Sequence, residues 1–222
     1  LIDDHQGSGV SAQDLQFSTS TTNTLEYGAW QSANILRDAD QIRLSMKALF
    51  ANGKNNWVRF RAKDVAGNGW TLSRDYNVWV DEEKASFTNF RPYEVEYQNG
   101  DTVVVSVDLV DSRSTRAGSG IRLDSVEYRM STQGKGLFGS WMEAPISSVD
   151  RDNNVHIEME LDFEEGTENY IQFRCYDNVG NYAISKEFNI LVNTAPIVEA
   201  FLDEPVNGYV HTTSEKILFD AS

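Results

Sequence analysis

Apolar and polar residues alternate with a period of two along much of the chain. From Val155 to Phe163 every odd position is apolar, and His156, Glu158, Glu160 and Asp162 fill the even ones. A run of this kind buries one face of a strand and leaves the other in water. Val103, Val105, Val107 and Leu109 repeat the pattern, although Val104 interrupts the polar set. Ile171, Phe173 and Cys175 alternate with Gln172 and Arg174, and Phe188, Ile190 and Val192 follow. No window carries a convincing helical period. The pattern predicts strands over 85–91, 102–110, 125–131, 140–144, 155–163, 169–176 and 182–192. Seven short strands separated by turn signals predict an all-β, antiparallel sandwich.

The same unit is present more than once. Gly7-Ser8-Gly9-Val10 returns as Gly118-Ser119-Gly120-Ile121, a shift of 111 that also carries Phe17 onto Tyr128, Gly28 onto Gly139 and Trp30 onto Trp141. A two-residue insertion within 145–154 raises the shift to 113, which places Ile42, Leu44, Met46 and Phe50 on Val155, Ile157, Met159 and Phe163. Trp57–Ala62 then falls on Tyr170–Cys175, and Asp64, Gly67 and Asn68 recur as Asp177, Gly180 and Asn181. Identities held in one order across a whole unit indicate an internal repeat.

The repeat predicts three segments: a sandwich lacking its first strands over 1–82, a complete sandwich over 83–194, and the opening strands of a third unit over 195–222. The two partial segments together amount to nearly one period. Two arrangements fit. The chain is a slice of a long array, or subunits complement one another head to tail, the final strands of one completing the first sandwich of the next.

Composition narrows the function. With 34 acidic against 19 basic residues the net charge is -15, which argues against nucleic acid and an anionic membrane surface as partners. No run of 18 apolar residues occurs, so no membrane insertion by a helix is predicted. Leu1-Ile2-Asp3-Asp4 is not a signal peptide, and a sequence opening this way reads as a fragment of a longer chain. The single Cys175 rules out an intrachain disulfide, which favours a prokaryotic over an animal source.

Gly-Ser-Gly-Val/Ile, the aromatic-x-Ser stretch, Gly-x-Trp and Arg-Ala/Cys-x-Asp-x-x-Gly-Asn together resemble prokaryotic surface-protein modules of the immunoglobulin-like or fibronectin type III-like class. The segment from Asn193 through Phe219-Asp220-Ala221-Ser222 resembles the opening half of a polycystic-kidney-disease-type (PKD-type) domain. The resemblance implies tandem immunoglobulin-like β-sandwiches serving as stalks, surface-layer parts, fibre elements or adhesive arms outside the cell. It leads us to expect a non-catalytic structural module at the cell surface, its partners being neighbouring immunoglobulin-like units in the same chain or in head-to-tail subunits. The alternative is a glycan-binding adhesion module, or an accessory arm of a secreted hydrolase.

Candidate chemistry is sparse. Asp64, Gly67 and Asn68, and likewise Asp177, Gly180 and Asn181, read as structural turns, because Asp caps its own turn while Gly accepts positive φ. Trp30 and Trp141 are either packing residues or platforms for a sugar ring. Calcium is the one cofactor the sequence suggests, with Asp3 and Asp4 ahead of Gly7, Asp111 ahead of Gly118, and Asp81 beside Glu82 and Glu83 at the junction between units. Cys175 reads as a small buried hydrophobe, and His5, His156 and His211 are scattered. Catalytic residues are therefore not assigned.

Overall fold

In the computed structural model, which describes residues 7–38, 41–111 and 118–194, the alternating runs become strands. A first group comprises β1 (Val10–Ser20), β2 (Gln31–Ser32), β3 (Asn34–Asp38), β4 (Gln41–Ser45), β5 (Gly53–Asp64), β6 (Thr71–Leu72) and β7 (Tyr76–Val80). A second comprises β8 (Ser86–Arg91), β9 (Tyr97–Gln98), β10 (Thr102–Val110), β11 (Glu127–Ser131), β12 (Met142–Glu143), β13 (Ile146–Val149), β14 (Val155–Asp162), β15 (Gly166–Tyr176), β16 (Tyr182–Ile184) and β17 (Phe188–Val192). A 3-10 turn at Leu123–Ser125 precedes β11. The ladders are antiparallel apart from β9, which runs parallel beside β17.

The second group is a sandwich of two sheets, ordered β13-β14-β10-β8 and β12-β11-β15-β17-β9. Its core follows from the period of two. Val105, Val107 and Leu109 of β10 face Met159, Ile157 and Val155 across the ladder with β14, all turned inward. The opposite sheet supplies Ile171, Phe173, Cys175, Phe188, Ile190 and Val192. Phe173 is fully buried, with the rings of Phe87, Phe90 and Phe188 at 6.5, 6.5 and 6.3 Å. Phe90 and Phe188 stack at 3.9 Å. Two antiparallel sheets closed over one core make this an immunoglobulin-like, fibronectin type III-like β-sandwich.

The alternation over 182–192 predicts one strand, and the structure has two, β16 and β17. At the break Ser185 Oγ accepts the Phe173 N–H at 2.9 Å and donates to the Lys186 carbonyl at 2.6 Å. A side chain thus replaces a ladder bond, and in the pattern it looks like any outward polar residue. Ser73 does the same in the first group, accepting from Phe60 N and donating to Arg74 O. The stretch read as an insertion holds β13, which joins β14 with a register shift between Ile146 and Ser148.

The first group has one sheet, ordered β2-β1-β5-β6 with β7 also on β5, and a separate β3-β4 hairpin. Phe17 faces Phe60 across β1 and β5 as Tyr128 faces Phe173 across β11 and β15. Buried asparagines recur as well. Asn56 brackets Ala51 through both its backbone groups, and Asn169 does so with Glu164. Asn77 Nδ2 donates to Lys54 O and Asn56 O, and Asn189 Nδ2 to Thr167 O and Asn169 O. No counterpart of β10 lies beside β4 among the described residues. Among the residues whose burial is described, Leu15, Phe17, Val58 and Ala62 are the buried hydrophobics here, and Trp79 is 66% exposed. The PKD-like segment and Asp3 and Asp4 fall outside the described residues.

Candidate functional site

Three aspartates, each directly after a strand, come together. Asp81 follows β7, Asp111 follows β10 and Asp177 follows β15, and the fold brings all three to one pole of the second sandwich. One carboxylate oxygen from each lies within 4.8 Å of the others. Asp177 is fully buried and Asp111 is 8% exposed.

Each carboxylate is fixed by the loops that the Gly-Ser-Gly and Asp-x-x-Gly-Asn segments form. Asp177 Oδ1 accepts the backbone N–H groups of Val179, Gly180 and Asn181, and its Oδ2 accepts Asn181 Nδ2 at 2.7 Å. Asp111 Oδ2 accepts Gly120 N at 2.6 Å. That approach needs glycine at 120, where φ is +85° and a Cβ would sit 2.6 Å from Asn153 Cβ. Asp81 Oδ1 accepts Glu83 N at 3.2 Å, and its Oδ2 accepts Ser119 N at 2.7 Å. Asn181 Nδ2 also donates to the carbonyls of Asp81 and Glu83, tying the β15–β16 turn to the junction. Burial, and then the charges of Asp81, Asp177 and Glu83, push the Asp111 carboxyl above its usual range against the pull of the Gly120 N–H.

Asp177 therefore has two places at once, the turn expected of it and a member of the acidic pole. Its counterpart Asp64 holds Asn68 through N–H and side-chain amide alike, in an exposed turn. Sequence reasoning singled out Asp81 and Asp111 but not Ser119 or the wider reach of Asn181. The available signal was an aspartate directly after each of three apolar strand ends, Val80, Val110 and Tyr176. Cys175 lies in the core beneath this pole, its thiol pushed up to about 12 by burial and then by Asp111 and Asp177, so it is no nucleophile at neutral pH.

Trp30 and Trp141 stand apart from the acidic pole. Both are half-buried on the outer face of a sheet. Arg61 lies 4.3 Å from the Trp30 ring and 4.1 Å from that of Trp70, while Arg59 lies 3.8 Å from Tyr27. Arg174 and Arg129 lie 4.3 and 4.6 Å from the Trp141 ring. Alternation along β5, β11 and β15 aims these arginines outward, where each guanidinium covers an aromatic face. Such contacts contribute about 0.5–1 kcal/mol each at exposed sites. Trp141→Ala is expected to lower the unfolding free energy by about 1–2 kcal/mol with the far-ultraviolet circular dichroism unchanged, as read by a urea titration.

A row of Ser148, His156 and Asp108 crosses β13, β14 and β10. His156 Nδ1 meets Asp108 Oδ1 at 2.6 Å on the solvent face. Ser148 is exposed, and no hydrogen bond joins it to the imidazole, so the row is a polar sheet surface rather than an assembled nucleophile. Glu158 is likewise exposed.

No family model matches the chain, and no curated protein matches it. Among solved structures it is similar to one described as "Structures of Clostridium thermocellum CbhA fibronectin(III)-like modules", at 14% identity and a TM-score of 0.32, covering 87% of this chain and 83% of that one. The fold assignment rests on the two sheets and their shared core, and it is that of an immunoglobulin-like, fibronectin type III-like β-sandwich.

Proposed function

We propose that the chain is a non-catalytic structural stretch of a prokaryotic extracellular surface protein or filament, built from immunoglobulin-like units repeated in tandem. The observation that carries this reading is the junction between the two strand groups. Only five residues separate Val80 from Ser86, and they are bonded on both sides. Asn52 of the first group accepts Glu82 N and donates to Glu83 Oε1. Ser119 and Asn181 of the second hold Asp81 and the Glu83 carbonyl. A segment pinned in this way transmits orientation instead of hinging, which is what a stalk or fibre requires. The recurrent asparagine and serine hydrogen bonds support equivalence of the two units. The edge of β4 and the single sheet of the first group support completion by strands from a neighbouring unit, in the same chain or in a head-to-tail subunit.

Small-angle X-ray scattering of the chain tests the rigid junction. One fixed arrangement of two lobes is the expected fit, whereas curves that demand a freely hinged ensemble count against the reading. Light scattering on the same sample separates the two assemblies: concentration-dependent polymers indicate subunit complementation, and a monomer indicates the array. The competing glycan-adhesion reading draws on Trp30 and Trp141. Sugar binding that disappears in a folded Trp141→Ala variant would replace the structural reading with that one.

A further inference from the structure

The acidic pole contains more than a concentration of negative charge. Asp111 is 8% exposed, and among the described residues its Oδ1 accepts no hydrogen bond although solvent cannot reach it. Ser119 Oγ is also buried without a partner, one bond network away, since the Ser119 N–H is the donor to Asp81. Buried oxygens are rarely left unsatisfied, because the lost hydration is not recovered. Two such atoms beside three converging carboxylates indicate a missing electrophile rather than a packing fault.

We propose that Asp81, Asp111 and Asp177, with Ser119 Oγ, bind a calcium ion that clamps the end of β7 to the pole of the second sandwich. The donor set is all oxygen, which selects a hard cation over zinc or copper. Calcium takes ligands at about 2.3–2.6 Å in irregular geometry, so ligands of one ion stand up to about 5 Å apart, and the three carboxylate oxygens, within 4.8 Å of one another, fall inside that span; magnesium, at about 2.1 Å, needs a near-ideal octahedron. Water fills the remaining positions of a six- to eight-ligand shell. The ligands come from both sides of the junction, so the ion couples the two units, and this consequence rests on the structural reading above while binding itself does not.

Calorimetric titration of the chelator-treated chain with calcium chloride, paired with melting in calcium and in chelator, tests the proposal. A single site is expected, with a rise in Tm of about 5 °C or more at a hundredfold excess over Kd. Asp111→Asn keeps an acceptor for Gly120 N and removes the ligand charge, so affinity is expected to fall at least tenfold. Ser119→Ala is the second variant should Asp111→Asn fail to fold, and it is expected to weaken binding several-fold. No binding heat and no shift in the unaltered chain overturn the proposal, as does calcium binding that survives in folded Asp111→Asn. The sequence also places Arg113 and Arg116 between Asp111 and Gly118. A calcium-insensitive chain that loses stability on Arg113→Gln with Arg116→Gln would assign the counter-charge to a guanidinium and overturn the proposal too. A calcium failure with rigid scattering curves leaves the structural reading intact, and bound calcium with hinged curves removes that reading alone.

Discussion

Phe173→Ala is expected to destabilise the second sandwich by about 3–5 kcal/mol, the largest effect of any single truncation in the chain. The ring is fully buried and touches aromatic neighbours from both sheets: Phe87 and Phe90 come from β8 and Phe188 from β17. Removing it leaves a cavity where the sheets meet, and a close-packed interior relaxes only partly into the space. The measurement is a urea titration followed by tryptophan fluorescence, in which the midpoint should drop while the slope stays constant. The equivalent change in the first group, Phe60→Ala, is expected to cost only about 1–2 kcal/mol in the same chain. Phe60 is half-buried and leans on Tyr76 at 6.1 Å, and the second sheet of its group is only the two-stranded β3-β4 hairpin among the described residues. Equal costs at the two positions would show that the first unit is already closed in solution.

Asn169→Leu is expected to cost about 2–4 kcal/mol, second only to the loss of Phe173. The side chain is 1% exposed, and it accepts Glu164 N at 3.2 Å while donating to Glu164 O at 2.7 Å. Leucine matches its volume but satisfies neither backbone group, so two polar atoms of the turn between β14 and β15 lose their partner in a poorly hydrated place. The turn is also where the chain crosses from the sheet of β14 to the sheet of β15. Hydrogen exchange should therefore show faster opening across Gly166–Tyr176, whereas protection unchanged from the original chain would mean the bracket is decorative. Asn56→Leu is the internal comparison. It removes the matching bracket from Ala51, and its effect should be confined to the first group if the two units open independently.

Where the sequence was legible, one physical rule made it so. A strand with one wet face must alternate, and the residues that must be buried in β10, β14, β15 and β17 stand at every second position. The repeat was readable for a related reason. A glycine at positive φ such as Gly120, and an aspartate that caps a turn such as Asp177, tolerate few replacements, so they recur in place. Ser185 shows the limit of that rule. Its hydroxyl replaces a ladder bond, and a period of two does not distinguish this from an ordinary outward serine.

The candidate site was only half legible. Asp81 and Asp111 were recognisable as carboxylates near a junction, but their convergence with Asp177 depends on which strand ends share a pole, a property of sheet order. Ser119 carried no signal, because an orphaned hydroxyl is defined by what surrounds it. Trp30 and Trp141 were recognised as equivalent, yet whether they face a core, a sugar or a guanidinium depends on partners on other strands.

By itself, then, the order of residues determined the all-β class, the inward and outward faces and the turn residues, since each follows from contacts within a few positions or from local backbone sterics. Only the tertiary structure decided that three strand-end aspartates form one pole, that the junction is bonded on both sides, and that each recurring tryptophan lies against arginine. Those are contacts between residues far apart in the chain, and they exist only once the sheets have chosen their order and packed face to face.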